Sequence, residues 1–245
     1  MLPRFLATTL DPDTGMAVLP PDESYHLTRV LRIAPGDEVA VFDGRGLEFR
    51  ARVVKAGRDM VRLALLAPIA SVPDPPVALT LVQAVLKGEK MDDVVRDAAM
   101  MGVARVEPIV SARTVVKRAS SSKLTERWRR VAIASAKQCR RATLPEIAPV
   151  RSLEAWLSSP KPSMSLLLVE PSAAGGNETS LRALQARETP ESAALIVGPE
   201  GGWAPEEREA AAAAGCLPVT LGWLTLRADA VALAAVAALS VVWGD

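Results

Sequence analysis

The sequence predicts an α/β protein in two parts, a small β-barrel followed by a larger domain built on a mainly parallel sheet. Three observations lead there. The first seventy residues read as short strands around one helix, residues 73–76 form a proline-rich break, and beyond it strand-like apolar runs alternate with helical stretches to the C-terminus. With 245 residues, 49% hydrophobic and 23% charged, the chain is long enough for two unequal domains, each with a core.

In the first part, Asp22 stands where a helix from Glu23 to about Leu31 would be capped, with Tyr25, Leu27, Val30 and Leu31 on its apolar side. Gly36-Asp37 ends that unit. Glu38 to Phe42 and Leu47 to Val54 flank Asp43-Gly44-Arg45-Gly46, a hairpin signal, and Val61 to Leu66 adds a strand. A small barrel is the natural closed form of such a set. In Val72-Pro73-Asp74-Pro75-Pro76 the prolines cannot continue a helix or a central strand. The expected division is therefore a barrel at 1–72, a linker at 73–76 and a second domain at 77–245.

That second domain opens with a buried-type strand, Val77 to Gln83, a helix from Lys90 to Met101 stopped by Gly102, and a strand from Ala104 to Ile109. Leu124 to Cys139 reads as a long basic helix. Ser152 caps a short helix through Leu157, and strands follow at Met164 to Val169 and Ala193 to Val197. The next helix carries Pro205, Glu206 and Glu207 in its first turn and ends at Gly215, the expected polarity. Pro218 to Leu221 is the last strand and Asp229 to Val242 the last helix, with Asp229 as its expected cap.

Several function classes are disfavoured. Cys139 and Cys216 stand far apart and His26 is the only histidine, so a metal site of the usual Cys/His kind is not expected. A Ser-His-Asp triad would have to use the same His26. The apolar stretch from Ala230 to Trp243 falls short of the roughly 20 residues a bilayer requires. Met1-Leu2-Pro3-Arg4-Phe5 lacks a signal-peptide layout, so no membrane association and a cytoplasmic location are expected. The net charge of +1 hides an asymmetry: residues 111–151 hold eleven Lys/Arg against Glu126 and Glu146. Such a stretch suits a phosphate-facing side, and equally a solvated helix face.

Two loops follow late strands, at the carboxyl ends where open α/β sheets bind ligands. In Gly198-Pro199-Glu200-Gly201-Gly202-Trp203 the glycines let backbone approach a flat ligand. The spacing is neither that of GxGxxG nor of a P-loop, and a glycine loop alone is also a plain turn. In Leu221-Gly222-Trp223-Leu224-Thr225-Leu226-Arg227-Ala228, the backbone of Leu226 can face an adenine and Arg227 presents a charge.

Taken together, the short motifs resemble the RsmE family of bacterial 16S rRNA (uracil-N3)-methyltransferases, in the SPOUT superfamily, over essentially the whole chain. They run from His26-Leu27-Thr28-Arg29-Val30-Leu31-Arg32 and Phe42-Asp43-Gly44 through Gln83-Ala84 with Lys87-Gly88, then Arg113-Thr114-Val115-Val116-Lys117 and Pro145-Glu146-Ile147. They end with Gly198-Pro199-Glu200-Gly201-Gly202, Leu221-Gly222 and Leu226-Arg227. The resemblance implies a PUA-like barrel, then a SPOUT domain with a C-terminal trefoil knot, and a homodimer in which each active site borders the other subunit. It implies that S-adenosyl-L-methionine is held by Leu168, Val169, Val197, Gly198, Pro199, Glu200, Gly201, Gly202, Leu221, Gly222 and Leu226. The chain departs from the family with Trp223-Leu224 in place of Pro-Arg, Arg227-Ala228-Asp229-Ala230 in place of Arg-Thr-Glu-Thr, and Gln138-Cys139-Arg140-Arg141 in place of Gln-Ser-Gly-Arg.

A sulfonium methyl donor is already activated, so the protein's task is alignment. The uridine N3 must lose a proton, and the negative charge that develops on the ring calls for an arginine. Arg227, then Arg140 or Arg141, are the catalytic candidates. Ribosomal RNA or the small ribosomal subunit would be contacted by Arg4, His26, Arg29, Arg32, Lys87, Arg113 and Lys117. Arg29 and Arg32, three apart, share a helix face. Three readings compete: a SPOUT-fold RNA-binding or ribosome-assembly protein with lost or altered methyl transfer, a dinucleotide-dependent oxidoreductase, which lacks its glycine fingerprint here, and a SPOUT enzyme that acts on another RNA or at another base atom.

Overall fold

The computed structural model describes residues 2–116, 122–173, 175–176 and 178–244. The chain forms two compact units. One holds the residues through Asp74 together with Ile133–Leu144, the other Pro75–Ala132 together with the residues from Pro145 onward.

The first unit is a six-stranded sheet of β1 (Arg4–Leu6), β2 (Thr9–Asp11), β3 (Met16–Leu19), β4 (Glu38–Phe42), β5 (Glu48–Ala56) and β6 (Val61–Pro68), in the order β1-β4-β5-β6-β3-β2. Strands β1 and β2 occupy opposite edges, yet only Ala7 and Thr8 separate them. The Ala7 N–H donates to Phe42 O at 2.8 Å on one edge, and the Thr8 N–H donates to Val18 O at 2.9 Å on the other. The sheet must therefore curl toward this corner into a half-barrel, in keeping with the PUA-like barrel expected. Register shifts in the β5–β6 ladder add to the bend. Alternate residues Val39 and Val41, Ala51 and Val53, Val61 and Leu63 point inward onto Phe5, Leu19 and Leu27.

The helix in this unit, α1 (Pro21–Tyr25), continues into a π-type turn at His26–Val30. Asp22 does not cap it: the cap position is Pro20, extended and without a side-chain bond, and Pro21 starts the helix because its missing N–H needs no partner there. Arg4, expected at the RNA, is instead turned into the fold. Its Nε and Nη2 clasp Glu48 at 2.8 and 2.9 Å, Nη1 donates to the carbonyls of Ala136 and Lys137, and Nη2 donates again to Arg141 O. All five guanidinium donors are used inside the fold, so none is left for an RNA phosphate.

The second unit is a parallel sheet made of β7 (Ala78–Ala84), β8 (Arg105–Val110), β9 (Glu146–Ile147), β10 (Arg151–Ser152), β11 (Met164–Leu168), β12 (Thr179–Ser180), β13 (Ser192–Val197) and β14 (Leu217–Thr220). The order is β10-β8-β7-β13-β11-β14-β12, and β9 also pairs with β8. Neighbouring residues face opposite sides: Leu81, Leu166 and Leu195 enter one apolar cluster, Val82, Leu167 and Ile196 another. Burial on both faces is why these strands read as continuous apolar runs. Helices α2 (Lys90–Met100), α3 (Ser122–Cys139) and α6 (Ala228–Trp243) contribute to the first cluster through Val94, Val95, Trp128, Val236 and Leu239; α4 (Leu153–Leu157) and α5 (Pro205–Ala213) contribute Trp156 and Ala211 to the second.

The caps differ in outcome. The Ser152 hydroxyl accepts from the Ala155 N–H at 3.1 Å, as expected. Asp229 does not cap α6: Arg227 holds the cap position with extended backbone, and Asp229 lies in the first turn, where a carboxylate still meets the positive end of the helix. Among the described residues no helix is long and apolar enough to cross a membrane.

One buried charge cluster fastens the β8–β10 edge. Glu107 accepts from Arg105 Nε and Arg151 Nη2, each at 2.6 Å, and from Trp156 Nε1 at 2.5 Å. Burial pushes its carboxyl up, but the hydrogen bonds and charges of Arg151 and Arg105 outweigh this, and the net shift is downward. A carboxyl lowered on folding contributes stability that is complete above its unfolded pKa and is lost as pH falls through the folded one. Thermal stability should therefore fall as the pH drops below the ordinary glutamate range. Glu107→Gln should lose stability at neutral pH and flatten this part of the profile, and an unchanged acid slope in that variant would exclude the cluster as its source.

Candidate active site

Strands β13, β11 and β14 lie side by side and parallel, so their carboxyl ends open at the same edge of the sheet. The loops leaving them, at residues 198–203, 169–171 and 221–227, wall a cleft of about 350 Å³. This is within the range of small-molecule sites. The cleft belongs entirely to the second unit.

The glycines of the first loop are required by contacts. A β-carbon at Gly198 would stand 3.1 Å from Trp203 Cε2, and one at Gly202, whose φ is +67°, would stand 3.2 Å from Glu170 Oε1. Trp203 is buried and donates from Nε1 to Leu168 O at 2.9 Å, so its ring ties the β13 loop to the end of β11. It is a packing anchor, as is the buried Trp128. Glu200 is drawn outward by the Lys87 N–H at 3.2 Å and Lys90 Nζ at 3.3 Å. Burial raises its carboxyl and the backbone and Lys90 contacts lower it, with a net downward shift.

Of the residues expected at a cofactor, Leu168, Val169, Val197, Gly198, Pro199, Glu200, Gly202, Leu221 and Leu226 line the cleft, and so does Arg227. Gly201 and Gly222 are not in its wall. The Gly201 carbonyl is instead taken by Arg113 Nη1 at 2.8 Å, and Gly222, at φ +67°, makes the turn that brings Leu224 to Arg227 round to the opening. The sequence reading missed Lys90, Glu170, Pro171, Leu224, Thr225, Ala228 and Val231 as cleft residues. Glu170 and Pro171 had a signal, since they follow the carboxyl end of a strand just as the two recognised loops do. The remaining missed residues depend on how α2, α6 and the β14 loop close over the opening, which no local pattern encodes.

Arg227 is 73% exposed at the cleft and pairs with Asp229 at 3.2 Å. In the first unit, Arg29, Arg32 and Arg140 are exposed, the latter two with left-handed backbone at φ 54° and 65°. Arg141, the other catalytic candidate there, is buried and its Nε donates to Asp74 at 2.9 Å, so it does not present a free cation. His26 is half-buried with its ring edge-on to Phe5. Lys87 and Arg113 are exposed in the second unit, and Lys117 lies outside the described residues.

The basic stretch is also less basic in the fold than along the chain. Within the respective units Arg127 pairs with Asp92 at 2.6 Å, Lys137 with Glu23 at 2.8 Å, Arg141 with Asp74 and Arg151 with Glu107. Each of these acids comes from a distant part of the sequence, so counting charge along 111–151 overstates the free positive surface.

Residues 73–240 match the family model for the RNA methyltransferase domain, and residues 19–66 match that for the RNA methyltransferase PUA domain. Ribosomal RNA small subunit methyltransferase E from Mycobacterium bovis is 36% identical over 98% of this chain and 92% of its own length. A protein of the same name from Synechocystis is 32% identical, over 88% and 70%. A Neisseria gonorrhoeae ribosomal RNA small subunit methyltransferase E bound to S-adenosyl methionine has a TM-score of 0.86 at 30% identity, covering 100% of this chain and 99% of that one. A Legionella pneumophila protein in complex with the bound cofactor SAM gives 0.88 at 28% identity, with the same coverage. The chain belongs to the ribosomal RNA small subunit methyltransferase E family.

Proposed function

We propose that this protein uses S-adenosyl methionine to methylate N3 of a uridine in small-subunit ribosomal RNA. The observation that carries the reading is the cleft: three backbone-rich loops from adjacent strands, with an exposed arginine at its opening. The fit to an adenosyl ligand is local. Gly198 and Gly202, lacking β-carbons, let the loop backbone close on Trp203 and Glu170 in the cleft wall, and Leu168, Val169, Val197 and Leu226 offer apolar walls and main-chain groups to a flat base. When bound there, the donor supplies a methyl group already activated on a sulfonium.

The protein's part is to hold and to stabilise. The guanidinium of Arg227 neutralises charge that spreads onto the uracil oxygens once N3 gives up its proton. The exposed Arg29 and Arg32 of the first unit, and Lys87 and Arg113 of the second, contact phosphates, which position RNA without reading its sequence. The target base is splayed from its stack to reach the cleft. The protein acts in the cytoplasm as a homodimer, for which Leu233 and Val241, exposed on α6, are the apolar contribution. The knot implied by the resemblance is supported by the strand order, since β14 is laid between β11 and β12, both earlier in the chain.

The test is mass spectrometry of small-subunit rRNA nucleosides from cells with and without the gene, complemented by the purified protein. N3-methyluridine should disappear with the gene and return on complementation. Retention of the nucleoside in the deletion strain would reject the assignment, and a different missing methylated nucleoside would reassign the target.

A further inference from the structure

Among the described residues four charged side chains border the cleft, and three of them are committed elsewhere. Lys90 pairs with Glu200, and Arg227 pairs with Asp229. Glu170 has no cation within ion-pairing distance among the described residues, and its carboxylate receives only a long contact from the Ser172 hydroxyl, at 3.5 Å. It is half-buried at the carboxyl end of β11, followed by Pro171, and its Oε1 lies against the Gly202 turn, where a β-carbon would come within 3.2 Å. An acceptor-only group is thus held in the wall of an otherwise backbone-lined and apolar cleft with its hydrogen-bonding capacity largely unspent.

We propose that Glu170 accepts hydrogen bonds from the ribose hydroxyls of the adenosyl donor; this rests on the donor reading above. The apolar walls suit a base, and a ribose seated among them needs acceptors for its two hydroxyl protons, because a buried hydroxyl must be paired. A carboxylate offers two oxygens to a vicinal diol, much as an acidic residue takes up a ribose hydroxyl in dinucleotide-binding folds. Position favours the ribose over the donor's amino acid arm. β11 is the middle of the three strands whose loops form the walls, and the ribose is the middle of the ligand, between base and sulfur. The arm also carries its own carboxylate, which Glu170 would repel.

Calorimetry on the full chain separates the possibilities, using S-adenosylhomocysteine, methylthioadenosine, which lacks the amino acid, and the deoxyribose form of methylthioadenosine. The unaltered protein should bind methylthioadenosine at least about tenfold more tightly than its deoxy form. Glu170→Ala should erase that preference and weaken both ribose-containing ligands by the same factor. Glu170→Gln, which keeps the shape and one acceptor, should fall between. Loss of affinity for S-adenosylhomocysteine with methylthioadenosine unchanged would place Glu170 at the amino acid arm and overturn the proposal. Unchanged binding of all three ligands with a fall in methyl transfer would make it a proton acceptor, and overturns it equally. If the unaltered protein binds none of the three, the donor reading itself fails, a result distinct from either.

Discussion

Replacing Arg227 with alanine is expected to lower methyl transfer by about a hundredfold to a thousandfold, the usual cost of removing one charge-stabilising donor from an active site. Folding and donor affinity should change little. The side chain is 73% exposed and its ion pair with Asp229 is solvated, so the pair contributes little to stability. The cap of α6 also survives, because no side-chain bond is made there and it is the Arg227 carbonyl that accepts from the N–H groups of Ala230 and Val231. Two companion variants sharpen the result. Arg227→Lys should recover part of the rate, as a point charge without the planar fork. Asp229→Ala should leave turnover largely intact, since it frees the guanidinium. Single-turnover assays with saturating donor would show this directly, and an Arg227→Ala protein that turns over at the original rate takes the residue out of the mechanism.

The legible parts of the sequence share a property, which is that the information sits within a few residues. The strands of the second unit are continuous apolar runs because both faces are covered, so β7, β11 and β13 announce themselves. Ser152 caps α4 through a contact three residues away. The two glycine-bearing loops stand out because a close approach or a positive φ demands glycine at Gly198, Gly202 and Gly222. What was not legible depends on partners brought from far away. β10 and β12 have two residues each and exist only because β8 and β14 lie beside them. Asp22 and Asp229 are good capping residues by type, but adjacent prolines in one case and the position of Arg227 in the other start the helix ahead of them and leave both in the first turn. Arginines were the hardest to read. Arg4, Arg141 and Arg227 look alike in sequence, yet the first two meet Glu48 and Asp74, 44 and 67 positions away, while the third stays at the surface.

Arg4→Met is expected to cost the first unit about 3–5 kcal/mol, the penalty for leaving a buried charge without its partner. Glu48 is 6% exposed, and Arg4 supplies its bidentate contact. The same substitution strips donors from the carbonyls of Ala136, Lys137 and Arg141, and removes the guanidinium that sits 4.8 Å from the centre of the Phe42 ring. Since β1 is an edge strand held by its pairing with β4, the damage should spread along that seam. Amide hydrogen exchange is the suitable measurement, because two units need not unfold together. Protection should fall for the amides of β1, β4 and β5 and persist in β7, β11 and β13. Adding Glu48→Leu to Arg4→Met should restore most of the lost protection, because removing both charges also removes the desolvation penalty. Any RNA binding lost in Arg4→Met should then be regained in the double variant, whereas a true phosphate contact would remain lost. Unchanged exchange in the single variant would contradict the view of Arg4 as an internal clamp.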